Sequence, residues 1–323
     1  MAKTKEKRID IFKEMERRRK EHVRAAVKLK AARDAAMLKI REKYGIAPLA
    51  GSRAKNILTI PSGHQRLDDL LTGTTDKTHE TVEGSGGGWP RGRIIEIYGP
   101  ESCGKTTMTL EIIKAAQTAG LRCAFIDAEH ALHAGYAAKI GVDLDALEFE
   151  QPSSAEEAFD LGIDLAKAQA VDVIVIDSVS ALEPEAEDEE DMKKSSVALQ
   201  ARLMSKGLRK LVKHVSDAGI LMVFVNQTRK KIGVRFGNPN TTSGGNALRF
   251  YASIRLDMVR VKTLKKGDKK FGIRTKVQTV KNKVAPPFRE VHIDIHNKVG
   301  IAEVHGDFIP GGKGSSGGDD DDE

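Results

Sequence analysis

The sequence predicts an α/β fold in which a mostly parallel central sheet is flanked by helices. Three observations carry that reading. From Arg93 onward, short aliphatic runs of strand length alternate with longer amphipathic stretches, the texture of a parallel sheet covered on both faces. A glycine-framed loop joins the first of those strands to the helix after it, the arrangement of a strand–loop–helix unit. Beyond Ser253 the runs become strand-rich, at 253–258, 275–280 and 291–295, and these extend the sheet in a mixed or antiparallel manner.

The elements follow in chain order. Residues 9–44 contain neither proline nor glycine, so one long helix or two is expected, with Leu29, Ala32, Ala36 and Ile40 as a packing stripe. Gly45 and Pro48 supply the stop signals. Residues 57–60 read as a lone β-branched strand, and a brief helix passes through Leu70 and Leu71. Residues 73–88 are polar and glycine-rich and read as a flexible loop. A strand at 94–98 then leads to a helix at 105–119, a strand at 124–126 and a helix reaching Ile140. A helix at 155–169, a strand at 173–176, a helix at 199–216 and a strand at 221–225 complete the alternation. There are no internal repeats. Residues 311–318 form a glycine-rich linker before the acidic tip Asp319-Asp320-Asp321-Asp322-Glu323.

Charge is unevenly spread over the 323 residues. The chain carries a net +7, yet residues 1–45 alone hold 16 Lys+Arg against 7 Asp+Glu, leaving the rest slightly acidic. A basic arm of this kind suits a polyanion, with nucleic acid favoured. No apolar run approaches 18 residues, and the N-terminus is too charged for a secretory signal. The expectation is a soluble cytoplasmic protein without a membrane partner. Cys103 and Cys123 are the only cysteines and lack metal-ligand spacing. Both are read as reduced, Cys123 at a strand start and Cys103 inside the glycine loop.

That loop, Gly99-Pro100-Glu101-Ser102-Cys103-Gly104-Lys105-Thr106, is a complete phosphate-binding motif. Its glycines permit a tight turn whose N–H groups face phosphate oxygens at the start of a helix. Lys105 would reach the β- and γ-phosphates of ATP, and the Thr106 hydroxyl would ligate Mg²⁺. Asp177 ends the apolar strand 173–176, about seventy residues later, where P-loop proteins hold the metal or its water. Glu129 follows the strand 124–126 and is placed to orient and polarise an attacking water. A carboxylate there could also serve only to complement a helix dipole. His130 beside it is given no catalytic role. Asn226-Gln227 follows the strand 221–225, where an amide can sense a γ-phosphate. The next segment, 230–246, is rich in Gly, Asn, Thr, Arg and Lys without hydrophobic period, and reads as a ligand-gated loop.

At this level of detail the chain resembles the bacterial RecA recombinase family. The strings Arg93-Ile-Ile-Glu-Ile-Tyr-Gly-Pro-Glu-Ser-Cys-Gly-Lys-Thr-Thr107 and Phe125-Ile-Asp-Ala-Glu-His-Ala-Leu132 carry the resemblance. So do Gln200-Ala-Arg-Leu-Met-Ser205, Lys231-Ile-Gly-Val-Arg-Phe-Gly-Asn-Pro239, Thr242-Ser-Gly-Gly-Asn-Ala-Leu-Arg-Phe-Tyr251 and Val280-Lys-Asn-Lys283. It spans roughly 55–305. The resemblance implies a RecA-type P-loop ATPase core at 56–305, with 73–86 an inserted loop, preceded by a basic helical, protomer-packing arm at 1–55. A flexible linker and acidic tail follow at 306–323.

The family implies an ATP-dependent helical filament on single-stranded DNA that pairs it with a homologous duplex, in recombination and repair. By the same resemblance ATP contacts Gly99 to Thr107, with Tyr136 stacking on adenine and Thr106 and Asp177 holding Mg²⁺. Glu129 is the catalytic glutamate and Gln227 the γ-phosphate sensor. Lys281 and Lys283 match lysines that reach the ATP of a neighbouring protomer, so the site is shared between subunits. Arg202, Arg209, Arg229, Arg235 and Arg249 are DNA-facing. Lys230, Lys231, Ile232, Phe236, Asn238, Thr242, Gly244, Gly245 and Asn246 belong to the DNA-binding loop. Mediator and single-strand-binding proteins are further expected partners.

Four departures stand out. His133 takes the place of an aspartate near adenine. The other DNA loop, 187–197, opens with five consecutive acidic residues and has Val197 in place of a methionine. The N-terminal helix is longer and more basic than usual. The family's globular C-terminal domain is expected to be missing, with the basic arm taking over part of duplex capture. Two other readings share the motifs: an ATP- and DNA-binding filament accessory without strand exchange, and a ring helicase motor.

Overall fold

The structure is a computed structural model, and it describes residues 17, 24, 27–46, 57–73, 87–184, 195–230 and 240–305. The chain divides into two units, Met1–Lys55 and Asn56–Glu323. In the first, helix α1 spans 27–44, and its Leu29 and Ile40 stripe is exposed.

The second unit opens with β1 (Thr59–Ile60), which is not a lone strand: it pairs antiparallel with β2 (Trp89–Pro90). Between them lies α2 (Gln65–Thr72), closed by Gly73 at φ +77°. A ten-stranded sheet follows. Its strands are β3 (Arg93–Gly99), β4 (Cys123–Asp127), β5 (Leu147–Glu150), β6 (Val173–Asp177), β7 (Leu221–Lys230), β8 (Asn240–Thr242), β9 (Ile254–Lys266), β10 (Lys269–Asn282), β11 (Glu290–His296) and β12 (Gly300–His305). The order is β12-β11-β10-β9-β3-β7-β6-β4-β5, with β8 on β7. Strands β9, β3, β7, β6, β4 and β5 run parallel, and β10, β11 and β12 are antiparallel additions.

Alternation along the parallel strands divides the core into two faces. Ile95, Ile97, Val173, Val175, Leu221 and Val223 pack with α2, α3 (Lys105–Thr118) and α4 (Ala134–Ile140). Ile94, Ile174, Ile176, Met222 and Phe224 pack with α5 (Ala155–Ala168), α6 (Ser195–Ala218) and α7 (Ala247–Tyr251). Burying both faces explains why these strands are nearly continuous aliphatic runs.

The expected strands at 253–258 and 275–280 are the inner parts of a far longer hairpin, 254–266 with 269–282. Its outer half is lysine-rich and exposed, held by its own ladder and so without a hydrophobic signature. Helix α6 starts four residues earlier than its apolar periodicity suggests. Both cysteines are buried free thiols, and burial pushes Cys123 up to about 12. Among the described residues, no helix is long and apolar enough to cross a membrane.

Candidate active site

The groups expected to handle nucleotide converge at the carboxyl ends of β3, β4, β6 and β7, the edge where open α/β sheets bind ligands. The glycine loop leaves β3 at Gly99 and turns into α3 through Gly104, whose φ of +93° lies in the left-handed region. A Cβ at Gly104 would stand 2.2 Å from Ile295 Cδ1, and one at Gly99 would stand 2.1 Å from the Met258 carbonyl oxygen. Both positions therefore exclude a side chain. Ser102 also has a positive φ, while Cys103 is fully buried beneath the loop and its carbonyl accepts from Thr275 Oγ1 at 2.9 Å. Pro100, Glu101 and Ser102 form the exposed rim.

Helix α3 starts without a side-chain cap and without an acidic residue in its first turn. Its free N–H groups and the positive end of its dipole suit phosphate. Lys105 is nearly buried, and its ammonium donates to the Pro100 carbonyl at 2.8 Å. The Thr106 hydroxyl donates to Asp177 Oδ2 at 2.7 Å. Thr107 Oγ1 lies 2.9 Å from Tyr136 Oη, which ties α4 to the loop and places the half-buried Tyr136 ring beside it. His133 caps α4, its Nδ1 accepting from the Tyr136 N–H.

Asp177 is buried, and Oδ1 has no hydrogen-bond partner. Burial pushes its carboxyl up to about 6, opposed by the Thr106 hydrogen bond and reinforced by Glu129 and Asp127. An orphaned, desolvated carboxylate oxygen beside a hydroxyl fits a divalent cation, whose charge would satisfy both. Asp127, opposite Asp177 in the β4–β6 register, is instead occupied: it accepts from the Ala131 and Leu132 N–H groups and from Gln151.

Glu129 is exposed, and its N–H donates to the Asp177 carbonyl at 3.1 Å. Gln227 Nε2 lies 3.3 Å from Glu129 Oε1, so the two side chains expected to face a γ-phosphate meet. Lys281 and Lys283 are not brought to this cluster. Lys281 pairs with Arg255, which pairs with Glu96, three residues before Gly99. That register sets it about 10 Å below the loop along the strands. Its ammonium donates to the carbonyls of Arg249 and Phe250 at the end of α7. Burial and the neighbouring Lys283 and Arg255 hold the Lys281 ammonium below its usual range.

Arg202 and Arg209 project from α6, joined by the exposed Lys206 between them. Lys206 completes an i, i+4, i+7 row, a helical spacing that sequence inspection had available. Arg229 is exposed on β7, opposite Thr241, and Lys230 pairs with Asn240. Thr242 ends β8, Gly244 and Gly245 have positive φ, and Asn246 precedes α7, which exposes Arg249. A Cβ at Gly245 would stand 2.9 Å from Ala201 Cβ of α6, so this segment lies against the arginine-bearing helix. Lys231, Ile232, Arg235, Phe236 and Asn238 lie outside the described residues, as does the acidic run 187–191.

Residues 31–302 match the RecA N-terminal domain family. Protein RecA of Haemophilus ducreyi is 51% identical over 274 residues, covering 84% of this chain and 70% of that protein. Protein RecA of Geobacter metallireducens is 50% identical over 278 residues, covering 85% and 78%. The solved RadB recombinase aligns with a TM-score of 0.53 at 18% identity, covering 75% of this chain and 98% of that one.

Proposed function

This chain belongs to the RecA family, and from that premise we propose that it is a DNA-dependent ATPase and strand-exchange recombinase working as a helical filament on single-stranded DNA. One observation carries the coupling: the Gln227 amide meets the Glu129 carboxylate three residues before the polar segment that starts at Lys230. A group that reads the γ-phosphate thus sits in the strand that becomes the DNA loop.

The residues divide the work. The loop N–H groups and Lys105 hold the phosphates, and Tyr136 flanks the base. Thr106 and Asp177 would hold a divalent cation, which would supply positive charge to offset that of the bound phosphates. Glu129 orients the attacking water and accepts its proton. Gln227, released from Glu129 by the γ-phosphate, changes the exit angle of the 230–246 segment. Arg202, Lys206, Arg209, Arg229 and Arg249 contact DNA phosphates, giving salt-dependent affinity with little sequence preference. Lys281 and Lys283, remote from their own P-loop, complete the site of an adjacent protomer, so that hydrolysis requires assembly. The partition into a 1–55 arm, a 56–305 core and a 306–323 tail belongs to the same reading.

ATP turnover measured with and without single-stranded DNA, paired with electron microscopy, tests this. The expected result is DNA-stimulated turnover on helical filaments, abolished in K105A. Closed rings, or turnover indifferent to DNA, would favour a helicase motor or another ATPase.

A further inference from the structure

Strand β3 places a carboxylate, Glu96, among Ile94, Ile95 and Ile97, and it is fully buried. An ion at such a depth persists only when it is paired and hydrogen-bonded. Arg255 Nε on β9 forms the ion pair with Glu96 Oε2, and its guanidinium also stacks on Tyr98, 4.7 Å from the ring centroid. Asn226 Nδ2 on β7, likewise fully buried, donates to Glu96 Oε1 at 2.9 Å. The three side chains form one polar row across β9, β3 and β7, on the sheet face that packs α6 and α7.

The Asn226 amide is used at both ends. Its Nδ2 donates additionally to the Ser243 carbonyl at 3.1 Å, and its Oδ1 accepts from the Gln227 N–H at 2.9 Å. One amide therefore joins Gln227, three residues before β7 ends, to Ser243, the residue where the chain returns after β8. Glu96 fixes which way that amide faces, because only Nδ2 can donate to a carboxylate. Rotating the amide would put Oδ1 against the carboxylate and strand the Gln227 N–H and the Ser243 carbonyl together. The return segment has little slack: a Cβ at Gly244 would stand 2.8 Å from Val179 Cγ1 and 3.2 Å from Met204 Cγ.

We propose that Glu96, held by Arg255, is a positioning residue that locks the Asn226 amide, so that movement of Gln227 is passed to Ser243 and the base of the 230–246 segment. The inference rests on the function proposed above. It adds that the sensor and the loop's return are joined through the interior of the sheet, by residues that touch neither nucleotide nor DNA. Without the lock, Gln227 still meets a γ-phosphate, but the Asn226 amide keeps only the Gln227 N–H and the Ser243 carbonyl as partners, and the displacement of Gln227 is absorbed where those two bonds yield.

Two double variants isolate the lock. E96Q/R255M removes the ion pair yet leaves a carbonyl to accept from Asn226; E96L/R255M removes that acceptor as well, and exchange of a buried ion pair for apolar side chains is tolerated in many folds. The ratio of DNA-stimulated to unstimulated ATP turnover is expected to stay near wild type in E96Q/R255M. It is expected to fall about tenfold in E96L/R255M and in N226L, the size of a typical coupling between sites. Equal ratios in the two double variants would overturn the proposal, as would stimulated and unstimulated turnover falling by the same factor. Should thermal unfolding show that the variants do not fold, hydrogen exchange on the wild-type protein decides. A non-hydrolysable ATP analogue, without DNA, must slow exchange across 242–246, and no change there overturns the proposal. Wild-type turnover indifferent to DNA would remove the functional reading itself, a different failure from loss of the lock.

Discussion

Replacing Asp177 with asparagine keeps the shape of the carboxyl proposed to hold the cation and removes its charge. In the protein Asp177 is buried, Oδ2 accepts from Thr106 and Oδ1 has no partner. Burial pushes its carboxyl from 3.8 up to about 6. The stability this group contributes is fully present below pH 3.8, where it is protonated folded and unfolded, and is lost as pH rises through about 6. At pH 7.5 the metal-free wild type therefore carries an ionisation cost on the order of 3 kcal/mol. Asparagine avoids that cost but sets an amide N–H₂ where Oδ1 finds no partner, which offsets about 1 kcal/mol. The net gain of about 2 kcal/mol corresponds to a Tm rise of roughly 4–8 °C for a domain of this size.

The assay is thermal unfolding in chelator, from pH 4 to pH 7.5, repeated with Mg²⁺ and an ATP analogue. D177N should unfold at higher temperature than wild type at pH 7.5 and at nearly the same temperature at pH 4. Only the wild type should gain from the divalent cation, and its gain should grow as pH rises through 6. A metal-free D177N less stable than wild type at pH 7.5, or a difference that ignores pH, would refute the reasoning that the ionised carboxylate lacks compensation.

Glu129→Gln should lower DNA-stimulated hydrolysis by about 10²–10⁴-fold, the range for loss of a general base, while ATP-dependent binding to single-stranded DNA persists in a filter assay. Gly104→Ala meets Ile295 Cδ1 and must hold φ +93°; left-handed strain alone costs about 1–2 kcal/mol, so both Tm and nucleotide affinity should drop. Mixing E129Q with K281A/K283A tests the shared site. Each alone should be nearly inactive, and an equal mixture should recover about a quarter of wild-type turnover, because a head-to-tail interface pairs one intact face from each protomer. No recovery on mixing would place the lysines outside the neighbour's site.

The aliphatic strands and the phosphate loop were legible because burial on both sheet faces and a glycine-framed turn leave local signatures. Ile94 to Tyr98 and Val173 to Ile176 could be placed within a residue or so of their ends. Pairing over distance left no such mark. Thr59 and Ile60 find Pro90 and Trp89 across thirty residues, and the short edge strand β5 has three exposed residues of four. The outer hairpin of β9 and β10 carries no strand signature because its ladder, not its side chains, holds it. At the site, Gln227 and Glu129 were readable one strand end at a time, but their contact spans 98 positions. Asn226 was readable as a neighbour of Gln227, not as an amide that reaches both Glu96 and Ser243. A usable signal was present: a glutamate inside the run Ile94-Ile95-Glu96-Ile97 requires a cation, and Arg255 sits in a similarly apolar strand.

Strand exchange between circular single-stranded DNA and a homologous linear duplex tests the central claim, that one shared nucleotide site drives homologous pairing. Wild-type protein with ATP and Mg²⁺ should convert the substrates to joint molecules and nicked circles, K105A should give neither, and a non-homologous duplex should stay unreacted. Vigorous DNA-stimulated ATP hydrolysis without any exchanged product would contradict the claim and leave a filament that binds ATP and DNA without exchanging strands.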